Sequence, residues 1–127
     1  MLKLKGHQVI GISLDPEKTS HFNQSNISRF VDRDYRLDIR NKMGIRSAVR
    51  ESKPDVIIHL AAQPLVLESF KNPVGTFETN VIGTLNVLES ANELNELKAT
   101  LVITTDKVYK NKNQLEGYVE TDELGGH

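Results

Sequence analysis

Short apolar runs alternate along this chain with polar stretches and with segments of helical period, and that alternation predicts its elements. Gln8-Val-Ile-Gly-Ile-Ser-Leu-Asp15 reads as a β-strand that stops at Asp15-Pro16, because proline biases the residue before it away from helix. The polar stretch 17–25 is expected to be a loop, and residues 27–31 a second short strand. From Asp38-Ile-Arg-Asn41 the pattern changes. Ile45, Ala48 and Val49 share one face of a helix that Lys53-Pro54 ends. Asp55-Val-Ile-Ile-His-Leu-Ala-Ala62 reads as a buried strand. Asn72-Pro73 places a capping residue before a proline at the first helical position. It announces a long helix to about Leu97, in which Val74, Phe77, Val81, Leu85 and Leu88 recur every three or four positions. A last strand covers residues 100–105.

Strands alternating with helices in a βαβαβ order imply an α/β fold with a parallel sheet and right-handed crossovers. The ends fit that fold less well. Met1-Leu-Lys-Leu-Lys-Gly6-His7 resembles the tail of a helix closed by glycine, and the polar segment 117–127 caps nothing. Both ends read as cuts through a larger fold.

Composition narrows the function classes. With 127 residues, 38% apolar and 26% charged, the chain has the balance of an ordinary soluble domain. Sixteen basic against seventeen acidic residues leave a net charge of -1, which gives no bulk attraction to nucleic acid or to an anionic membrane. There is no cysteine, hence neither a disulfide framework nor a thiolate metal site. No apolar run approaches a membrane span or a signal-peptide core, so a cytoplasmic protein is expected.

Candidate chemistry gathers where the last strand ends. Leu101-Val102-Ile103 runs into Thr104-Thr105-Asp106-Lys107, and polar groups just beyond the carboxyl ends of parallel strands sit where open α/β sheets bind ligands. The same residues also suit a solvated strand-to-loop turn. Asp15 suits either a ribose-binding carboxylate or the opening of an Asp-Pro turn. Asp38 is well placed to favour the dipole of the following helix. Leu60-Ala61-Ala62 offers small side chains at a strand end, for close ligand approach or for packing. His59 has no second ligand at metal spacing and reads as a core histidine. Thr79 is by periodicity a polar helix residue, and Lys110 to Lys112 reads as a solvated loop.

Four stretches together carry a resemblance: Ser13-Leu-Asp15-Pro16, Asp38-Ile39-Arg40, His59-Leu-Ala-Ala-Gln63-Pro-Leu-Val66 and Thr104-Thr-Asp-Lys-Val-Tyr109. In order and spacing they resemble the extended short-chain dehydrogenase/reductase family, and within it the nucleotide-sugar 4,6-dehydratases. Lys107, where the thymidine-diphosphate-glucose enzymes carry glutamate, and Gln63-Pro64, where they carry a serine-histidine pair, are similar to dehydratases acting on CDP-glucose. So is Asp122-Glu-Leu-Gly-Gly-His127.

The resemblance implies bound NAD and a nucleotide-sugar substrate. It assigns Asp15, Asp38, Ile39, Leu60, Ala61, Ala62 and Thr79 to the cofactor and Thr105, Asp106 and Lys107 to catalysis. In the family's reaction the C4 hydride passes to NAD, water leaves across C5 and C6, and the hydride returns to C6. Thr105 would bond the C4 oxygen and Asp106 would protonate the departing hydroxyl. Lys107 would act either as a base, if burial lowers its pKa, or as a cation stabilising the enolate.

The resemblance also implies what is missing. The eight glycines form no G-x-x-G-x-x-G or G-x-G-x-x-G pattern, and none of Tyr35, Tyr109 and Tyr118 has a lysine four places on. The expectation is a partial doubly wound, Rossmann-like parallel sheet whose central first strand is missing. Residues 1–127 would be an incomplete NAD-binding domain holding strands 2 to 5, with the substrate domain elsewhere and a homodimer for the whole protein. Alone, such a chain is expected to fold poorly or to associate, and to be inactive. Two other readings stay open: another extended short-chain dehydrogenase, such as a nucleotide-sugar epimerase, and a non-catalytic dinucleotide-binding module.

Overall fold

The computed structural model describes residues 1–125, the side chain of Asp106 excepted. Its strands are β1 (Ile10–Ser13), β2 (Arg33–Arg36), β3 (Val56–His59) and β4 (Ala99–Val102). β1 and β2 pair in parallel, Ile10 opposite Arg33 and Ser13 opposite Arg36. β3 and β4 pair in parallel with Val56 opposite Ala99 and His59 opposite Val102. Each ladder runs one rung further, through Leu37 N–H to the Ser13 carbonyl at 2.9 Å and Ile103 N–H to the His59 carbonyl at 3.0 Å.

The two pairs are separate two-stranded sheets. Among the described residues, β1 and β3 therefore each keep one unpaired backbone edge. Residues 10–12 of β1 and 56–59 of β3 line the same largely apolar cavity of about 330 Å³, shared with Ile45, Val49 and Val87. This is the division expected of a doubly wound sheet whose central strand is not present between its halves.

Among the described residues, five α-helices pack around the pairs: α1 (His21–Gln24), α2 (Lys42–Ser52), α3 (Val66–Lys71), α4 (Pro73–Phe77) and α5 (Thr84–Asn92). α2 starts at Lys42, directly after the segment 38–41 that leads into it. Asn41 N–H closes a turn on the Asp38 carbonyl at 2.9 Å, and the Asn41 side chain then caps the helix by accepting from Gly44 N–H at 3.0 Å. Ile45, Ala48 and Val49 are its buried residues, as the periodicity predicts. With Ile39 and Val87 they make the core, against which Ile12, Leu37, Ile57 and Leu94 pack.

Three expectations are corrected. Residues 27–31 are not a strand: Ile27–Phe30 is a 3-10 turn, and the pairing strand is the polar β2, drawn in by ladder bonds to β1. The loop 17–25 contains α1, capped by the Ser20 hydroxyl accepting from Asn23 N–H. The long helix to Leu97 is interrupted. α4 passes into a π-wound turn, Glu78–Gly83, before α5, and the helix ends at Asn92. Thr79 and Thr84 hydroxyls donate back to the carbonyls of Gly75 and Asn80, both at 2.8 Å, a back-bonding that distorts helices.

The helix also faces the other way from what its apolar stripe suggests. Val74, Phe77, Val81, Leu85 and Leu88 are exposed, and the buried positions are Gly83, Asn86, Val87, Ser90 and Ala91. Small residues let α5 approach α2 and the segment after β2. Gly83 is the extreme case: a Cβ there would lie 2.6 Å from both Cγ1 and Cδ1 of Ile39.

Two outcomes follow from this architecture. The isolated 127 residues should self-associate and should not melt as a cooperative monomer, since two open parallel edges flank an apolar cavity. A sharp, concentration-independent monomeric melt would contradict it. In the protein at its natural length, Gly83→Ala should destabilise by about 1–2 kcal/mol, overpacking against Ile39 outweighing alanine's better helix propensity. In an Ile39→Ala background, where Cγ1 and Cδ1 are gone, the same substitution should become stabilising. Urea denaturation of the four proteins in this cycle tests the change of sign.

Candidate functional site

The carboxyl ends of β1 and β3 open on one pocket of about 630 Å³. Ser13, Leu14 and Pro16 line it from beyond β1, residues 36–40 from β2 and the segment after it, residues 61–64 from beyond β3, and Thr79 from the π-wound turn. Strand ends supply these groups because each parallel strand must leave the sheet here to reach its crossover.

Two of the walls are pinned by asparagines of one helical stretch. Asn80 Oδ1 accepts from Gln63 N–H at 2.7 Å, and Asn80 Nδ2 donates to the Gln63 carbonyl at 3.0 Å, so one side chain satisfies a whole backbone residue. The Gln63 side chain tightens the same loop, donating to the Leu65 carbonyl and to Thr76 Oγ1 (both 3.1 Å) and accepting from Leu65 N–H at 2.6 Å. Asn86 Nδ2 donates to the Ile39 carbonyl at 3.0 Å and fixes the segment after β2.

Two of the charges lining the pocket, Asp38 and Arg40, are paired with each other. Asp38 accepts from Arg40 Nε at 3.1 and 3.0 Å, from Arg40 Nη2 at 2.6 Å and from Arg40 N–H at 2.9 Å. These bonds hold the Asp38 carboxyl below its ordinary range, the side-chain bonds from Arg40 contributing most. Arg40 also reaches Glu78 on the π-wound turn, at 3.6 Å.

His59 sits behind the pocket, buried, with Nε2 at 2.9 Å from Thr84 Oγ1. Thr84 spends its one hydroxyl proton on the Asn80 carbonyl. His59 Nε2 must therefore carry the proton and donate. Burial pushes the imidazole below its ordinary value of 6.5, as expected of a core histidine.

The residues singled out in the sequence are only partly brought together. Ile39, Asp38, Ala61, Ala62 and Thr79 line the pocket, and Asp15 is exposed at its rim, between the lining residues Leu14 and Pro16. Ile39 is also a core residue, and the Thr79 hydroxyl is committed to its own helix. Leu60 instead lines the cavity between β1 and β3. Thr105 and Lys107 lie beyond β4, exposed and outside the pocket lining, where Lys107 N–H donates to Thr105 Oγ1 at 3.2 Å. The Asp106 side chain lies outside the described residues. Lys110 and Lys112 are paired to Glu123 in an exposed loop, at 2.8 and 3.6 Å.

Sequence reasoning missed Asn80 and Asn86, and gave Arg40 no role beyond its place in the Asp38-Ile39-Arg40 stretch. A signal existed for the asparagines: each is a poor helix former inside a helical run, where its side chain needs a partner off the helix. Among the described residues no group of three or more His, Asp or Glu is placed to hold a metal, and no helix is long and apolar enough to cross a membrane.

The fold recurs in known proteins. The solved UDP-glucose 4-epimerase of Thermotoga maritima superposes over 99% of this chain and 39% of its own, with a TM-score of 0.79 and 24% identity. That of Bifidobacterium longum, in complex with NAD+ and UDP, covers 98% and 37% with a TM-score of 0.80 and 23% identity. The CDP-glucose 4,6-dehydratase of Salmonella typhimurium is 41% identical over 90 residues, 71% of this chain and 25% of that enzyme. The CDP-paratose 2-epimerase of Salmonella typhi is 39% identical over 85 residues, 67% of this chain and 25% of that one. The chain thus spans about a quarter of the length of these curated relatives. The family model described as GDP-mannose 4,6 dehydratase matches residues 1–125, and the chain belongs to that family of nucleotide-sugar dehydratases and epimerases.

Proposed function

We propose that this chain is the cofactor-holding part of an NAD-dependent CDP-glucose 4,6-dehydratase, a cytoplasmic lyase serving deoxysugar synthesis for surface polysaccharide. The observation that carries the reading is the 41% identity to the Salmonella typhimurium enzyme. Gln63 and Lys107, the two departures from the thymidine-diphosphate-glucose enzymes, support it. On this reading residues 1–127 are strands 2 to 5 of an NAD-binding domain, and the substrate domain lies elsewhere. The exposed stripe Val74, Phe77, Val81, Leu85 and Leu88 suits a homodimer contact.

The pocket fits the adenosine half of NAD. Ile39, Ala61 and Ala62 give it an apolar, close-approach wall, with Leu60 at its back. Asp15 at the rim accepts from the ribose hydroxyls and repels a 2′-phosphate. Asp38, braced by Arg40, and Thr79 border the adenine side. No glycine-rich cradle for the pyrophosphate occurs among these residues. When bound, NAD supplies a reversible hydride acceptor.

Thr105, Asp106 and Lys107 stand past the end of β4, the position from which a strand end addresses a substrate. The Thr105 hydroxyl donates to the sugar's C4 oxygen, and Asp106 protonates the departing C6 hydroxyl. Exposure of Lys107 favours its second role, a cation that stabilises the negative charge developing on the enolate.

The alternative supported by a specific observation is a nucleotide-sugar epimerase, from the 39% identity to CDP-paratose 2-epimerase. Mass spectrometry of CDP-glucose incubated with NAD and the protein at its natural length separates the two. Loss of one water from the sugar is the expected result; an isomeric product of unchanged mass gives an epimerase, and no turnover of CDP-glucose removes the dehydratase reading. The isolated 127 residues are expected to be inactive. Lys107→Met should lower kcat by ~10²-fold with KM nearly unchanged, the pattern of an interaction made in the transition state. Equal kcat for variant and wild type would remove Lys107 from the chemistry.

A further inference from the structure

Arg36, the last residue of β2, belongs to no motif and does more around the pocket than any residue singled out from the sequence. Its Nη1 donates to Ser13 Oγ at 2.7 Å and to the Leu14 carbonyl at 2.9 Å. Its Nη2 is paired with the Asp34 carboxylate. The guanidinium carbon lies 4.9 Å from the centre of the Phe22 ring, so α1 forms a floor under the planar fork. Arg36 and Phe22 both line the pocket.

The bonded atoms give this arrangement its meaning. The Leu14 carbonyl belongs to the peptide unit that joins Leu14 to Asp15, so Arg36 grips the backbone immediately before the rim carboxylate. Asp15 has no hydrogen bond of its own among those described, and the turn that carries it leaves β1 towards solvent. Without an anchor its carboxylate would sample many positions. Arg36 supplies that anchor from the neighbouring strand, through the parallel register that sets Ser13 opposite Arg36. Asp34, two residues back on the same strand, keeps the fork oriented and occupies the donors that would otherwise attract a phosphate. Gly11 gives Asp34 its room: a Cβ there would come within 3.2 Å of Asp34 Oδ1.

We propose that Arg36 is a positioning residue for cofactor choice, holding the Ser13–Asp15 turn so that the Asp15 carboxylate meets the ribose diol of NAD and excludes the 2′-phosphate of NADP. The inference rests on the reading of the pocket as an NAD site. Lysine cannot replace Arg36 fully, because one ammonium cannot span Ser13, Leu14 and Asp34 in a plane.

Calorimetric titration of NAD and of NADP into wild type, Arg36→Ala and Arg36→Lys, all at natural length, tests it. Thermal midpoints recorded alongside identify any variant that has simply lost its fold; Arg36→Lys is the milder substitution. Arg36→Ala should weaken NAD by about tenfold, the order expected for losing charge-assisted bonds that fix a contact, while NADP changes little. The NAD-to-NADP preference therefore narrows, and Arg36→Lys falls between. A preference that stays constant, whether both affinities fall together or neither changes, overturns the inference while leaving the NAD reading intact. A wild-type protein that binds no NAD overturns both.

Discussion

The contact of Ile39 with Gly83 is the constraint on which the rest depends. It lets the helical stretch come close enough to the segment after β2 for Asn86 to reach the Ile39 carbonyl. The same approach buries Val87 and Ala91 against Ile45, Ala48 and Val49 of α2. Ile39 is both a core residue and a wall of the pocket, so the apolar packing that stabilises the domain also sets where the pocket lies. A side chain with any Cβ opposite Ile39 would move core and site together.

A division of labour follows along the helical stretch. Its outward stripe of large apolar residues contributes nothing to the core, and its inward face is built from glycine, alanine, serine, valine and asparagine. The asparagines do what apolar residues cannot. By bonding the backbone of Gln63 and of Ile39 they satisfy groups that leave the ladders at the strand ends, where no neighbouring strand is available. The π-wound turn lies between α4 and α5, at the point where the helix must serve the loop after β3 and the core at once.

The sequence was legible where local chemistry and tertiary demand agree. Ile45, Ala48 and Val49 mark the buried face of α2, Asn72-Pro73 marks a helix start whose cap is formed as read, and Pro16 and Pro54 bound their elements. It was illegible where tertiary contacts override pattern. Arg33-Asp34-Tyr35-Arg36 has no apolar alternation, yet it is a strand because β1 offers it a parallel edge and its arginines find Glu51, Asp34 and Ser13. The stripe from Val74 to Leu88 has an ideal helical period but faces outward, since period alone does not say which side of a helix meets the core. The pocket was visible through its strand ends and its resemblance; the residues that brace it were not, because bracing is done by ordinary polar side chains far apart in sequence.

The separation of the strands into two pairs has a consequence for how the chain holds together. Each pair is a local unit: Ile10 meets Arg33 and Val56 meets Ala99 within a single crossover. Among the described residues no backbone ladder joins one unit to the other; the helical seam of α2 against α5 does most of that work. The two halves are thus tied by side-chain packing and not by strand pairing among the described residues. Backbone bonds set the order inside each half, and side-chain packing sets the position of one half against the other. The pocket at the strand ends takes walls from both halves, so its shape depends on that packing.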